Sequence, residues 1–440
     1  MTKFINNVRK ISAIELGQNS FYLGTLLLST TNLISGLFFL ISLIISLKLK
    51  PISFKKDKWN LTLLFSSVLI VLSTFKVSIF QNHSEIYQFA KDNQWNQLSI
   101  WMGLFNWIPL FIAFSGFQIY LKKESQRIRF AKFLFIGLIP VLFTFFLQRW
   151  FNVVGPFKSL FGMIIFYMRS PELYGYTGLF NNANYAGIWL AVSLPFSILI
   201  FQLNEYKKFR QLFILIIIFS TISCIIYTNS RNSFIGILIA TSIMTSAKFL
   251  MICISIIFLI YLLIINLNFL PLLDSLLIDE IIPEKIIKKI FQTDYLNIYK
   301  SPRINIWSET ISLISQKPIF GWGAATFIFL YLSKGGFQAQ HTHNMPLELA
   351  QIYGIPLAII LTLFVTFLFF KSIKVIFKTN NNNSSKINKA WISAALIMLV
   401  SHISDITYYD GRVSILIWIL LSGLKCIIDK NVPSKIIKSE

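Results

Sequence analysis

Apolar runs of roughly 17–25 residues recur along this chain, and that is the length at which a helix crosses the hydrocarbon of a bilayer. They lie near 61–80, 100–120, 130–148, 185–203, 211–228, 232–247, 249–269, 345–370, 390–407 and 412–428. In lipid every backbone N–H and C=O must be satisfied internally, so such runs are read as helices. The region 11–47 is too long for one straight helix and carries the polar cluster Ser29-Thr30-Thr31-Asn32 at its middle. Of the 440 residues, 55% are hydrophobic and 13% charged, whereas an ordinary soluble domain is about one quarter charged. The reading is an all-α, polytopic integral membrane protein.

The net charge of +22 raises nucleic acid as a partner, and its distribution argues against one. Lys and Arg gather in cytoplasmic loops of membrane proteins. Segments 48–60, 121–132 and 371–389 hold five each, whereas 81–99 and 405–412 hold one each. This alternation continues through every loop from 48 onward and puts 26 of the 40 basic residues on the inner side. The N-terminus is basic too, so 11–47 should cross twice, turning near Ser29–Asn32. The result is about 12 spans with both termini in the cytoplasm. Cys224, Cys253 and Cys426 all sit in apolar runs and offer neither a disulfide framework nor a CxxC spacing. No cleavable signal peptide is expected, because the stretch after Lys3, Arg9 and Lys10 is too long and lacks a small-residue cleavage site.

Residues 1–269 are thus assigned to spans 1–9, 270–344 to one long outer loop, and 345–440 to spans 10–12 and a tail. Within the loop, 302–316 reads as an amphipathic surface helix. Ser301 would cap it, Pro302 suits its first position, and Ile304, Trp307, Ile311 and Ile314 would line one face. Lys317-Pro318 ends it and Gly321-Trp322-Gly323 forms a turn.

Charged groups near the bilayer are costly and tend to mark function. Arg231 lies in a very short outer connection. It reads either as an interfacial arginine snorkelling to headgroups or as a phosphate ligand presenting a fixed fork of donors. Arg303 begins the surface helix, beside free N–H groups that also favour anions. In Gln340–Glu348, Asn344 is a helix cap and Pro346 falls in the first turn. This segment contains two of the four histidines, His341 and His343. A metal site needs three or four ligands and no third His or loop Cys accompanies the pair, so no metal is expected. His343 fits a structural role as well as proton transfer. The Gly175–Tyr185 segment, with Asn184, is either a capped helix start or a turn offering amides to hydroxyl-rich ligands.

Together these residues resemble the O-antigen ligase and O-antigen polymerase superfamily of bacterial membrane glycosyltransferases. The resemblance runs from about 174 to 425 and rests on four ordered signals. They are Gly178–Ala186, Ser230-Arg231, the Arg303…Trp307…Pro318…Gly321-Trp322-Gly323 block, and His343-Asn344 followed by Leu347-Glu348 and Gly354. Ala183 stands where many members have proline, and the first 170 residues carry no matching motif. The resemblance implies transfer of a glycan from undecaprenyl pyrophosphate to an acceptor hydroxyl on the periplasmic face of the inner membrane. In a ligase the acceptor is lipid A–core, and in a polymerase it is another lipid-linked repeat unit. His343 would be catalytic, and Arg231, Arg303, Asn344, Asn184 and Trp307 would bind substrate. The reaction would be inverting and need neither metal nor other cofactor. A transporter linked to inorganic-carbon uptake and a non-reacting glycan sensor are the competing readings. Polar residues gathered on one membrane face, rather than at midplane, favour the enzyme.

Overall fold

The computed structural model describes residues 2–54, 57–80, 98–171, 175–203, 207–245, 302–336, 339–376 and 383–430, with Asp92 and Asn96. The expected span 249–269, Cys253 and the Ser301 cap lie outside these residues.

The described chain is almost entirely helical: α1 Thr2–Leu27, α2 Asn32–Leu49, α3 Lys58–Phe80, α4 Leu98–Met102, α5 Ile108–Gly116 and α6 Glu124–Phe151. A small hairpin, β1 Phe157–Ser159 with β2 Ile164–Phe166, separates these from α7 Ala183–Gln202, α8 Lys208–Tyr227 and α9 Arg231–Met244. After the undescribed segment come α10 Pro302–Gln316, α11 Phe327–Ser333, α12 Met345–Tyr353, α13 Ile355–Ile376, α14 Asn383–Ser404 and α15 Gly411–Lys430. Among the described residues nine helical stretches are long and apolar enough to cross a membrane, and α9 is a shorter apolar helix. The protein is an all-α polytopic membrane protein.

Burial runs inward from a lipid-like surface. Helix α7 is buried over 89% of its span window and α15 over 83%, so these two form the core of the bundle. Helix α3 instead exposes Leu61, Leu64, Phe65, Val68, Leu72 and Phe75. That i, i+3, i+4 pattern is a stripe facing hydrocarbon rather than water. The 11–47 region does form two helices, α1 and α2, packed as a hairpin about Leu28–Thr31. Ser35 donates to the Gly24 carbonyl across it at 2.7 Å, and Ser29 donates to Gly137 of α6 at 2.8 Å.

Three expected elements differ. The run 345–370 is broken at Gly354, whose φ of +94° interrupts the helix between α12 and α13. The run 100–120 is also discontinuous, because Pro109 near the start of α5 cannot donate a helical hydrogen bond. Tyr353 donates to the Gly103 carbonyl there at 3.1 Å. On α10 the buried face is Ile306, Thr310, Leu313 and Ile314, while Ile311 is 58% exposed. Docking on α12 turns the helix so that Ile304 and Trp307 sit at the edge of the contact.

Candidate active site

Helix ends and connecting loops meet at one end of the bundle. Asn344 caps α12, its Oδ1 accepting the Leu347 N–H at 3.0 Å. Its Nδ2 donates to the Ile403 carbonyl at 2.9 Å, tying the cap to the end of α14. Both ends of this amide are therefore used inside the protein, which makes Asn344 a brace for its neighbour His343. On the other flank, Thr342 donates its N–H to Glu348 Oε2 at 3.0 Å, and its carbonyl accepts the Trp307 indole N–H at 2.9 Å. Glu348, fully enclosed, also accepts from the Tyr409 hydroxyl. So Trp307, expected to meet substrate, spends its polar atom on holding the histidine loop.

Held this way, His343 places Nδ1 3.1 Å from Asp405 Oδ1. Asp405 is 3% exposed and also accepts the Ile406 N–H at 2.8 Å. Burial raises the Asp405 carboxyl, but the His343 hydrogen bond, the fields of His343 and His341, and the Ile406 N–H outweigh it and leave it below its usual value. Asp405 therefore stays ionised at neutral pH and is the acceptor that faces Nδ1 of His343.

The arginines share this field. Burial lowers Arg303, Asp405 opposes that, and Arg231 adds to it, so Arg303 lies within electrostatic reach of both. Arg231 is exposed at the start of α9, and the next residue, Asn232, accepts a hydrogen bond from Ser404 at 2.7 Å. That bond brings the start of α9 to the residue beside Asp405. Asn184 is half-buried in the first turn of α7, with its backbone N–H donated to Asn182 Oδ1 at 2.7 Å. Its neighbour Tyr185 feels Asp405, Asp410 and Glu348.

His341, His343 and Asp405 bring potential ligand atoms within 4.8 Å of one another, the one such cluster of three among the described residues. Asp405 supplies the third potential ligand that no His or loop Cys near the pair provides. The donor set is two imidazoles and one carboxylate, with Arg303 adding positive charge to the same space. Such a field favours an anion over a dication.

Asp405, Tyr409 and the Asp410–Arg412 pair are the residues the sequence reading missed. Arg412 Nη2 lies 2.6 Å from Asp410 Oδ2, and its Nη1 donates to the Leu179 carbonyl at 3.0 Å. This pair fastens the Gly178–Ala183 turn to α15. One signal was present: Asp405 follows the C-terminus of α14, where the helix dipole disfavours an acid.

The fold and the site define a polytopic membrane protein with a His–Asp pair and two arginines at one end of its helix bundle. A family model described as O-antigen ligase matches residues 212–362. The superfamily resemblance read from the sequence is borne out over that stretch, which contains Arg231, Arg303, Trp307, His343 and Asn344 but neither Asn184 nor Asp405. The match supports a membrane glycosyltransferase of the O-antigen ligase or polymerase kind. No curated protein matches the chain.

Proposed function

We propose that this protein moves a glycan from a polyprenyl pyrophosphate, undecaprenyl pyrophosphate by the family's precedent, to an acceptor hydroxyl on the periplasmic face of the inner membrane. The observation that carries this reading is the His343–Asp405 pair within electrostatic reach of Arg303, which in turn feels Arg231. His343 Nε2 takes the proton of the acceptor hydroxyl as its oxygen attacks the anomeric carbon. The carbon–oxygen bond to pyrophosphate breaks, and the departing anion is held by the two guanidinium groups. Attack opposite the leaving group inverts the anomeric configuration. Asp405 orients the imidazole and stabilises the imidazolium as it forms. The arginines supply the charge that a divalent metal would otherwise provide.

A mostly apolar cavity of about 370 Å³ supports a lipid-linked donor. It is lined by Leu361, Val365, Phe369, Leu399 and Leu421 and reaches Tyr408, next to Tyr409 of the site. Its apolar walls suit a segment of a polyprenyl chain. Ligase is preferred to polymerase because the His343-Asn344 pair and the Arg303–Trp307 spacing resemble ligases more closely.

The test is transfer by purified protein in liposomes, with undecaprenyl-pyrophosphate oligosaccharide, lipid A–core or a second lipid-linked unit as acceptor, and chelator present. Wild type should elongate one acceptor and release undecaprenyl pyrophosphate. His343→Ala should lose about 10²–10⁴-fold in rate. Asp405→Asn should slow transfer and change its pH profile, and Arg231→Lys should fail because lysine keeps charge but not the fork. Full activity in His343→Ala removes the histidine from the mechanism.

A further inference from the structure

The β1–β2 hairpin does nothing for the site directly, yet it concentrates the most exposed apolar surface in this part of the molecule. Phe161 is 104% exposed, Leu160 54%, Met163 57% and Phe157 45%. The strands pair in register, Phe157 with Phe166 and Ser159 with Ile164. The tip between them is backbone-strained. Leu160 and Phe161 stand at φ of +47° and +56°, conformations that bulky residues rarely adopt. A chain that places its bulkiest apolar side chain on a strained, uncovered tip has a use for it there.

A second observation identifies what covers it. Helix α6, which leads into the hairpin, exposes Ile136, Ile139, Phe143, Phe146 and Trp150 at helical spacing. This is a lipid-facing stripe on a helix apolar enough to span the membrane. Apolar exposure continues at Phe151 and, past the exposed C-cap residue Asn152, resumes through Val154 into Phe157. The hairpin thus extends a surface already facing hydrocarbon, with Lys158 as its one charge. An aromatic cluster with a single lysine at the end of a span is the composition of the bilayer interface.

We propose that the β1–β2 hairpin is an interfacial anchor, with Leu160, Phe161 and Met163 inserted among lipid chains and Lys158 at phosphate level. Its backbone makes it a stop for the site as well. Gly155 donates to Met168 at 2.9 Å, Met168 to Gly178 at 2.9 Å, and Arg169 to Thr177 Oγ1 at 3.0 Å. These bonds connect the hairpin rigidly to the turn that starts α7. The anchor sets the depth at which that turn meets a substrate held at the membrane surface. The inference does not depend on which reaction the site performs.

The experiment is a nitroxide scan of the full chain in phosphatidylethanolamine–phosphatidylglycerol liposomes, with the three native cysteines replaced by alanine. Labels go on Leu160→Cys, Phe161→Cys and Met163→Cys, with Phe143→Cys as bilayer reference and Lys122→Cys as aqueous reference. At the three tip positions, collisions with oxygen should exceed those with a water-soluble nickel chelate, as at Phe143. In a Phe161→Asp background the label at Met163 should shift toward nickel. Tip values matching Lys122 would overturn the proposal. So would low accessibility to both reagents, which means the tip is covered by protein.

Discussion

At His343 the backbone stands at φ +54°, a left-handed conformation that costs a non-glycine residue about 1–2 kcal/mol. The Asn344 cap, the Thr342–Glu348 bond and the Asp405 contact hold it there. Such a constraint fixes Nδ1 against Asp405, as the proposed proton transfer requires. Its neighbour His341 behaves differently. Burial first, then the field of His343, pushes it down to about 4, with Asp405 opposing. A folded value below the ordinary 6.5 means that the unfolded chain binds the extra proton between about pH 6.5 and pH 4. Stability should therefore fall as pH drops through that window. Melting in detergent should show this slope in wild type and a shallower one in His341→Gln. An unchanged slope would assign the acid sensitivity to other groups.

Among the elements, the break between α12 and α13 is the most informative. Trp322 and Gly323 donate their N–H groups to the Gln351 and Ile352 carbonyls at 2.8 and 2.9 Å. Ile355 in turn donates to Pro318 at 2.7 Å. The Gly321-Trp322-Gly323 turn thus supplies the bonds that the end of α12 lacks, and a motif that looked like a simple turn is a helix cap in three dimensions. Gly354 makes this possible. A Cβ on it would lie 2.0 Å from the Ile319 carbonyl oxygen. Gly354→Ala should then cost more than the roughly 1–2 kcal/mol of its left-handed backbone alone. Thermal denaturation in detergent measures that cost, and a melting temperature within a degree of wild type would refute it. Glycine does similar work between α7 and α9, where Gly187 admits Ser233 and Gly236 admits Ala191. Small residues let these spans approach closely, as membrane helices require.

The whole molecule is polarised along its helix axes. The site groups collect at one end, while Lys425 pairs with Asp57 and Asp429 at the other, at 3.3 and 2.6 Å. The basic segments read as cytoplasmic predict which end is which. Lys123→Cys and Lys208→Cys should react with an impermeant maleimide from the cytoplasmic side, and Lys158→Cys and Lys334→Cys from the opposite one. Reaction of all four from one side would undo that assignment. Apolar run length made the helices legible, because the bilayer imposes a period and a length that any sequence must show. The α1–α2 turn, the Asn344 cap and the histidine loop were legible for the same local reason. The break at Gly354, the inward face of α10 and the role of Trp307 were not, since each depends on which surface a distant segment presents. The His343–Asp405 pair joins residues 62 positions apart, and no local pattern encodes such a distance. The sequence alone determined a helical membrane protein, because run length and apolarity are local properties. Only tertiary packing decided which acid meets the histidine, because burial and charge balance are properties of the assembled site.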